Sequence, residues 1–205
     1  MKPKSDETKD LILAVARQEF LAKGFHEASL RYIAKKANGT TGIIYTYFKN
    51  KNDLFETLVQ PLVHQFEKRL ATEEMSIKEA SEQLGMSPKT WFTKNLKFLI
   101  GLIEAYPDEM RLLFLKAQGS AFENYKEMLI QAGTRRSVAI FRTLKRKKSF
   151  KNQELSEFFV LNLVKYVINV VVEMMKQNKS PKQIAAYENE ITSFLFSGWK
   201  ALVDV

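Results

Sequence analysis

No cysteine occurs among the 205 residues. Disulfides and thiolate metal sites are therefore excluded, and nothing points to secretion. Histidine is almost as scarce. His26 and His64 lie far apart, with no ligand spacing around them, so no metal site is expected. Glycine and proline number only 8 and 5, and long stretches run without either. Periodic segments of that kind favour helices over a strand-and-turn fold. A clean membrane span is also missing. The most apolar stretch, Phe158 to Met175, is interrupted by Asn162, Lys165, Asn169 and Glu173 at helical spacing, which suits a buried helix of a soluble protein. The start, Met1 to Asp10, is polar and lacks the apolar core of a signal peptide. There is no Ser-His-Asp set, phosphate-binding glycine loop or dinucleotide fingerprint. No catalysis, no cofactor and no membrane partner are expected, and the chain reads as cytoplasmic.

What is present is apolar and basic. At 45% hydrophobic, the chain can bury a real core. Its net charge of +9 suits a polyanionic partner without establishing one. Residues 1–70 hold +4 of that excess and the remainder +5, so the charge is not concentrated at one end.

Periodicity predicts about nine helices. The first runs from about Thr8 to Lys23, with Leu11, Ile12, Val15, Ala16 and Phe20 as its apolar stripe. Gly24 ends it in a left-handed conformation, which lets Phe25 fold back on Phe20. Ser29 is a good N-cap for a second helix, Leu30 to Ala37. Asn38-Gly39 then makes a tight helix-to-helix turn, both residues tolerating positive φ. Thr40 or Thr41 caps a short third helix through Phe48, with Ile44 and Phe48 pointing inward. Asn50 caps the fourth, and Pro61 within it is expected to kink or break it and to act as a hinge. Five more helices are expected over 88–105, 108–117, 121–147, 153–178 and 182–203, and residues 71–87 read as loop or short helix.

Residues 29–51 read SLRYIAKKANGTTGIIYTYFKNK. This is a small helix, a minimal turn, and a second short helix with a polar outer face. Ala34 permits close crossing. Thr40, Thr41, Gly42, Tyr45, Thr46 and Tyr47 face outward, and short hydroxyls, a bare glycine and two phenols suit approach to a DNA groove. The bland reading of the same residues is a solvated helix pair with Tyr45 and Tyr47 as core aromatics.

The segment resembles the TetR family of bacterial regulators. Ser29, Arg31, Ile33, Ala34, Gly42, Tyr45, Tyr47, Phe48 and Lys51 match that family's pattern, as does the preceding Ala22-Lys23-Gly24-Phe25. The resemblance covers residues 8–58 closely. It implies an all-α protein with a three-helix helix-turn-helix head over 1–50, and a helical ligand-binding and dimerisation domain over 51–205. It further implies a ligand-released repressor bound to a near-palindromic operator in double-stranded DNA. Tyr45, Tyr47 and Lys51 would mostly contact phosphates, Thr41 and Thr46 would lean toward bases, and Arg31 would reach either from the second helix. The chain departs from the pattern at Asn38-Gly39, at Tyr32 in place of a capping acid, at Ile43 in place of threonine, and at Thr41 in place of a long polar residue. Two other readings remain open: a DNA-organising or division-linked protein without an inducer, and a ligand carrier or enzyme with a vestigial helix-turn-helix.

A second helix-turn-helix-like stretch, 76–92, lacks the aromatic signature and carries Glu79 and Glu82, so it reads as a loop and helix start. Residues 135–151 hold eight lysines and arginines and no acid. They read as a solvated helix end or as an auxiliary anion patch.

The last two helices are apolar over most of their circumference and need neighbours on several sides. They would pack against their copies in a homodimer, through Phe158, Val164, Val167, Ile168, Val171, Met175, Ile191, Phe194, Leu195, Trp199 and Leu202, or would simply cover the monomer's core. The family resemblance implies an inducer pocket in helices four to eight for a small hydrophobic or amphipathic ligand. Phe66, Trp91, Phe98, Met110, Phe114, Tyr125 and Met128 are its candidate lining, though an aromatic stripe serves equally as core.

Overall fold

A computed structural model describes residues 4–82, 88–146 and 155–202, with side chains left out at 4–5, 72–82, 88–92, 143–146, 181 and 199–202. Every regular element among the described residues is a helix: α1 (Lys4–Glu27), α2 (Leu30–Lys36), α3 (Thr41–Tyr47), α4 (Lys51–Glu82), α5 (Pro88–Ala105), α6 (Pro107–Leu115), α7 (Tyr125–Arg146), α8 (Glu157–Lys176) and α9 (Pro181–Leu202). The all-α expectation holds.

Local chemistry places most of the boundaries. Gly24 breaks the regular path of α1 with φ 78° and ψ 166°, the conformation that glycine adopts without Cβ strain. The break aims the Phe25 N–H at the Lys116 carbonyl, 2.7 Å away, and stacks the Phe25 ring on Phe20 with centroids 5.9 Å apart. Asn50 caps α4 by accepting from the Asp53 N–H at 2.9 Å, and the Asp53 carboxylate accepts from the Lys49 N–H at 2.7 Å. The two bonds satisfy two donors at the helix entry, the second one residue outside a reciprocal capping box. Ser156 does the same for α8, accepting from the Phe159 N–H at 3.1 Å.

Three expectations need correcting. Helix α4 is not broken at Pro61; it runs through to Glu82. Pro61 lies on the exposed face, where water can serve the carbonyl that the ring leaves without its helical donor. The stretch taken as loop or short helix is therefore helix through residue 82. Helix α7 begins at Tyr125 rather than 121, because turns closed by the Ser120, Glu123 and Tyr125 N–H groups occupy 117–124. The side chains of the 76–92 stretch and most of the basic 135–151 segment lie outside the described residues.

The chain forms two compact units. The first takes the residues up to Phe66 together with Tyr106–Tyr125, and the second takes Glu67–Ala105 and the residues from Lys126 onward. The first unit thus borrows α6 from the middle of the sequence. Arg17 of α1 pairs with Glu109 and Asp108 at the start of α6, and Asn52 accepts from the Ala121 N–H at 2.8 Å. A row of rings fills this unit. Phe20, Phe25 and Phe55 form a triangle with centroids 5.1–5.9 Å apart. Phe55 reaches Phe122, Phe122 reaches Tyr125, and Tyr125 and Phe114 both meet Phe66. Edge-on and tilted contacts of this kind add about 0.5–1.5 kcal/mol each beyond the area they bury. In the second unit, α5 packs against α9 and α8, and Val160, Val171, Met174 and Met175 are buried.

Candidate nucleic-acid interface

Helices α2 and α3 are short, so their relation depends on caps and on one close contact. Ser29 stands at the N-cap of α2 in extended conformation, and its hydroxyl accepts from the Tyr32 N–H at 3.3 Å. A capping box would place an acid at residue 32 to accept from the Ser29 N–H. Here the buried Glu19 of α1 supplies that acceptor at 3.2 Å. Tyr32 is thereby released to face solvent, with 46% of its surface exposed.

The turn after α2 is a Schellman motif. Asn38 takes φ 58°, the Gly39 N–H donates to the Ala34 carbonyl at 2.9 Å, and the Asn38 N–H donates to the Lys35 carbonyl at 3.3 Å. Only Asn38 adopts positive φ. Gly39 is needed for room, since a Cβ there would sit 2.8 Å from Ile43 Cγ2. The missing side chain lets the first turn of α3 close onto the end of α2. Ala34, almost wholly buried, lets the helices cross closely.

Helix α3 turns Ile44 and Phe48 inward and leaves Gly42, Tyr45 and Thr46 exposed, Tyr45 by 56%. Thr41 and Tyr47 flank this face half-buried. Thr40 holds the N-cap position through its backbone alone, its side chain making no capping bond. The Thr46 hydroxyl donates to the Gly42 carbonyl at 3.2 Å and keeps its oxygen open to an outside donor. Gly42 has helical φ, and a Cβ there would meet only Thr40 Oγ1 at 3.6 Å, an ordinary contact. Nothing inside the fold requires glycine at that position. Helix α3 carries no charged residue. Arg31 is exposed on α2.

Lys51, expected to contact phosphate, also has partners inside the head. Its ammonium donates to the His26 carbonyl at 3.1 Å and lies 4.8 Å from the Phe25 ring centroid. Burial lowers its pKa from the ordinary lysine value, while Glu27 and Glu19 act in the opposite direction. The side chain ties α4 to the last turn of α1, beyond the Gly24 break. No local pattern announces this, because the partner carbonyl lies 25 residues away.

The other predicted positions divide. Of the candidate ligand residues, Phe66, Met110, Phe114 and Tyr125 lie in the first unit, Phe66 and Met110 closed in its core. Phe98 lies in the second unit beneath the Arg69 guanidinium at 5.0 Å, and Met128 is exposed there. The Trp91 side chain is outside the described residues. Of the candidate dimer residues, Val167, Val171, Met175, Ile191 and Leu195 are buried within the single chain. Val164 and Ile168 are half-buried. Phe158 and Phe194 are 76% and 70% exposed. Phe159 and Tyr166 are exposed as well. The side chains of Trp199 and Leu202 lie outside the described residues.

This arrangement defines a helix-turn-helix head within an all-helical protein. Residues 12–58 match the sequence profile of the bacterial regulatory proteins, tetR family. The HTH-type transcriptional regulator AcrR of Shigella flexneri is 44% identical over 57 residues, 28% of this chain and 26% of that protein. Across the curated relatives the matched stretch spans about a quarter to two fifths of their length. A TetR-like transcriptional regulator from Rhodococcus sp. RHA1 superposes over 98% of this chain and 99% of its own, with TM-score 0.65 and 19% identity. The regulator FadR from Bacillus subtilis, solved with stearoyl-CoA, superposes over 93% of this chain and 98% of its own, with TM-score 0.61 and 19% identity. The head, residues 12–58, therefore carries the sequence pattern of the bacterial regulatory proteins of the tetR family, and the whole chain shares the fold of these solved regulators.

Proposed function

We propose that this protein is a cytoplasmic transcriptional repressor, a homodimer that grips a near-palindromic operator and releases it when a small ligand binds. The observation that carries this reading is the outer face of α3. Gly42, Tyr45 and Thr46 are exposed together, on a helix that two caps, a Schellman turn and the Gly39–Ile43 contact hold in place. Gly42 costs helix stability and serves no internal contact, so its bareness suits a partner that approaches the backbone closely. Thr41 and Thr46 would lean toward base edges and Tyr45 and Tyr47 toward phosphates, with Thr40 and Arg31 at the margins.

Functionally, the head extends to about residue 50, and the rest serves ligand binding and dimerisation. Phe158 and Phe194, with their exposed neighbours Phe159 and Tyr166, are the apolar surface left for a second copy, which would set two recognition helices one or more turns apart along DNA. The FadR neighbour holding stearoyl-CoA supports a hydrophobic or amphipathic ligand. Such a ligand would act by favouring conformations with misplaced heads. No enzymatic role is proposed.

The test is fluorescence anisotropy with DNA from the gene's own upstream region against scrambled DNA, across a salt series. Tight binding to the native fragment, saturating at one dimer per site and weakening steeply with salt, is the expected result. Equal and weak binding to both, with no site recovered by genome-wide selection, would remove the repressor reading.

A further inference from the structure

Affinity for DNA comes largely from cations placed against phosphates, yet α3 carries no charge and Lys51 is engaged within the head. Resting on the DNA-binding reading above, we propose that the outer face of α2, through Arg31, Lys35 and Lys36, is the phosphate-gripping surface of the head, with Tyr32 as the residue that positions Lys36.

Ile33, Ala34 and Ala37 fix one side of α2 against the head's core, which turns residues 31, 32, 35 and 36 to the opposite side, all exposed. No acid lies among them. The Lys36 ammonium sits 5.7 Å from the Tyr32 ring centroid, within reach of its negative face. A flexible lysine is thus held in a narrower range while its donors remain open to a phosphate oxygen. The departure from a capping box makes this possible, since Glu19 takes over the capping of Ser29 and leaves residue 32 to the surface. Lys9 provides the contrast. It also lies over a ring, 5.9 Å from Phe48, but its turn of α1 is acidic, with Asp6 one turn before it and Glu7 and Asp10 close in sequence. Those carboxylates repel a phosphate, so Lys9 is not assigned to the grip.

The test compares salt slopes of operator affinity. Lys35→Gln and Lys36→Gln alter exposed side chains and leave the core intact. Each removes two phosphate contacts per dimer, so the slope of log affinity against log salt falls by about 1.8, roughly a 60-fold loss at 0.1 M salt. Tyr32→Ala lowers the slope partway and Tyr32→Phe, which keeps the ring, restores it. Lys9→Gln and Lys165→Gln leave the slope unchanged. Thr46→Ala lowers affinity for native over scrambled DNA at constant slope. If Thr46→Ala behaves so while the α2 variants keep the full slope, the α2 grip is overturned and the recognition-helix reading stands. An equal drop for Lys165→Gln would reduce the effect to net charge and also overturn the proposal. A wild-type protein without salt-dependent DNA binding overturns both readings.

Discussion

Replacing Gly42 with alanine separates the needs of the fold from those of a partner. The added Cβ would rest 3.6 Å from Thr40 Oγ1, with no closer neighbour, and φ is already helical. The fold therefore gains the usual helical advantage of alanine, about 0.5–1 kcal/mol. In a chain of this length that raises the melting temperature by roughly 1–4 °C. Against a DNA groove the same methyl enters space the backbone was occupying alone. Overpacking of that kind costs about 1–3 kcal/mol per copy, about 5- to 150-fold in affinity for one head and at least tenfold for two. Thermal unfolding and anisotropy on the same preparation read both effects. The expected result is a more stable protein that binds its operator at least tenfold more weakly. A variant with unchanged affinity would refute the argument that Gly42 is bare for an outside partner, and a less stable one would refute the geometry of α3.

Gly39→Ala is expected to lower stability by about 1–3 kcal/mol, because its Cβ must displace the Ile43 branch. Ile43→Leu, which moves that branch, should recover part of the loss in a double-mutant cycle followed by urea unfolding. Glu19→Ala should cost about 0.5–2 kcal/mol, the worth of an N-cap, although residue 19 lies ten residues from Ser29; an effect within error in thermal unfolding would remove its capping role. Phe158→Lys with Phe194→Lys is expected to yield folded monomers in analytical ultracentrifugation, and a persistent dimer would move the interface elsewhere. For Lys51 the folded pKa lies below its unfolded value, so the unfolded chain binds more protons between the two. Stability relative to Lys51→Met should then rise as pH climbs through that window toward 10.5. A difference flat with pH in denaturant titrations would contradict the burial of the ammonium.

Local grammar made much of the head legible. Gly24, Ser29 and Asn50 act within a few residues of themselves, so their types and positions suffice to place helix ends. The outward set on α3 followed from Ile44 and Phe48 pointing inward four residues apart. Distant partners escaped. Glu19 capping Ser29 and Lys51 turning to the His26 carbonyl join residues that only the folded chain brings together. Gly39 was readable as a turn glycine but not for its actual reason, since the crowding arises from Ile43 in the next helix. Pro61 does not break α4, because its penalty depends on which face of the helix it occupies. On α8 and α9, apolar periodicity identified buried residues without saying which chain buries them. Val171 and Leu195 are buried within the single chain while Phe158 and Phe194 remain exposed.

The borrowing of residues 106–125 by the first unit also sets an order of events during synthesis. About 60 residues separate Phe66 from Tyr125, and ribosomes add roughly 5–20 residues per second. For about 3–12 s after Phe66 is made, the rings of Phe55 and Phe66 must wait for Phe114, Phe122 and Tyr125 to cover them. The amino-terminal helices are written first but completed late. In that interval the nascent chain shows chaperones an apolar surface that the finished protein conceals.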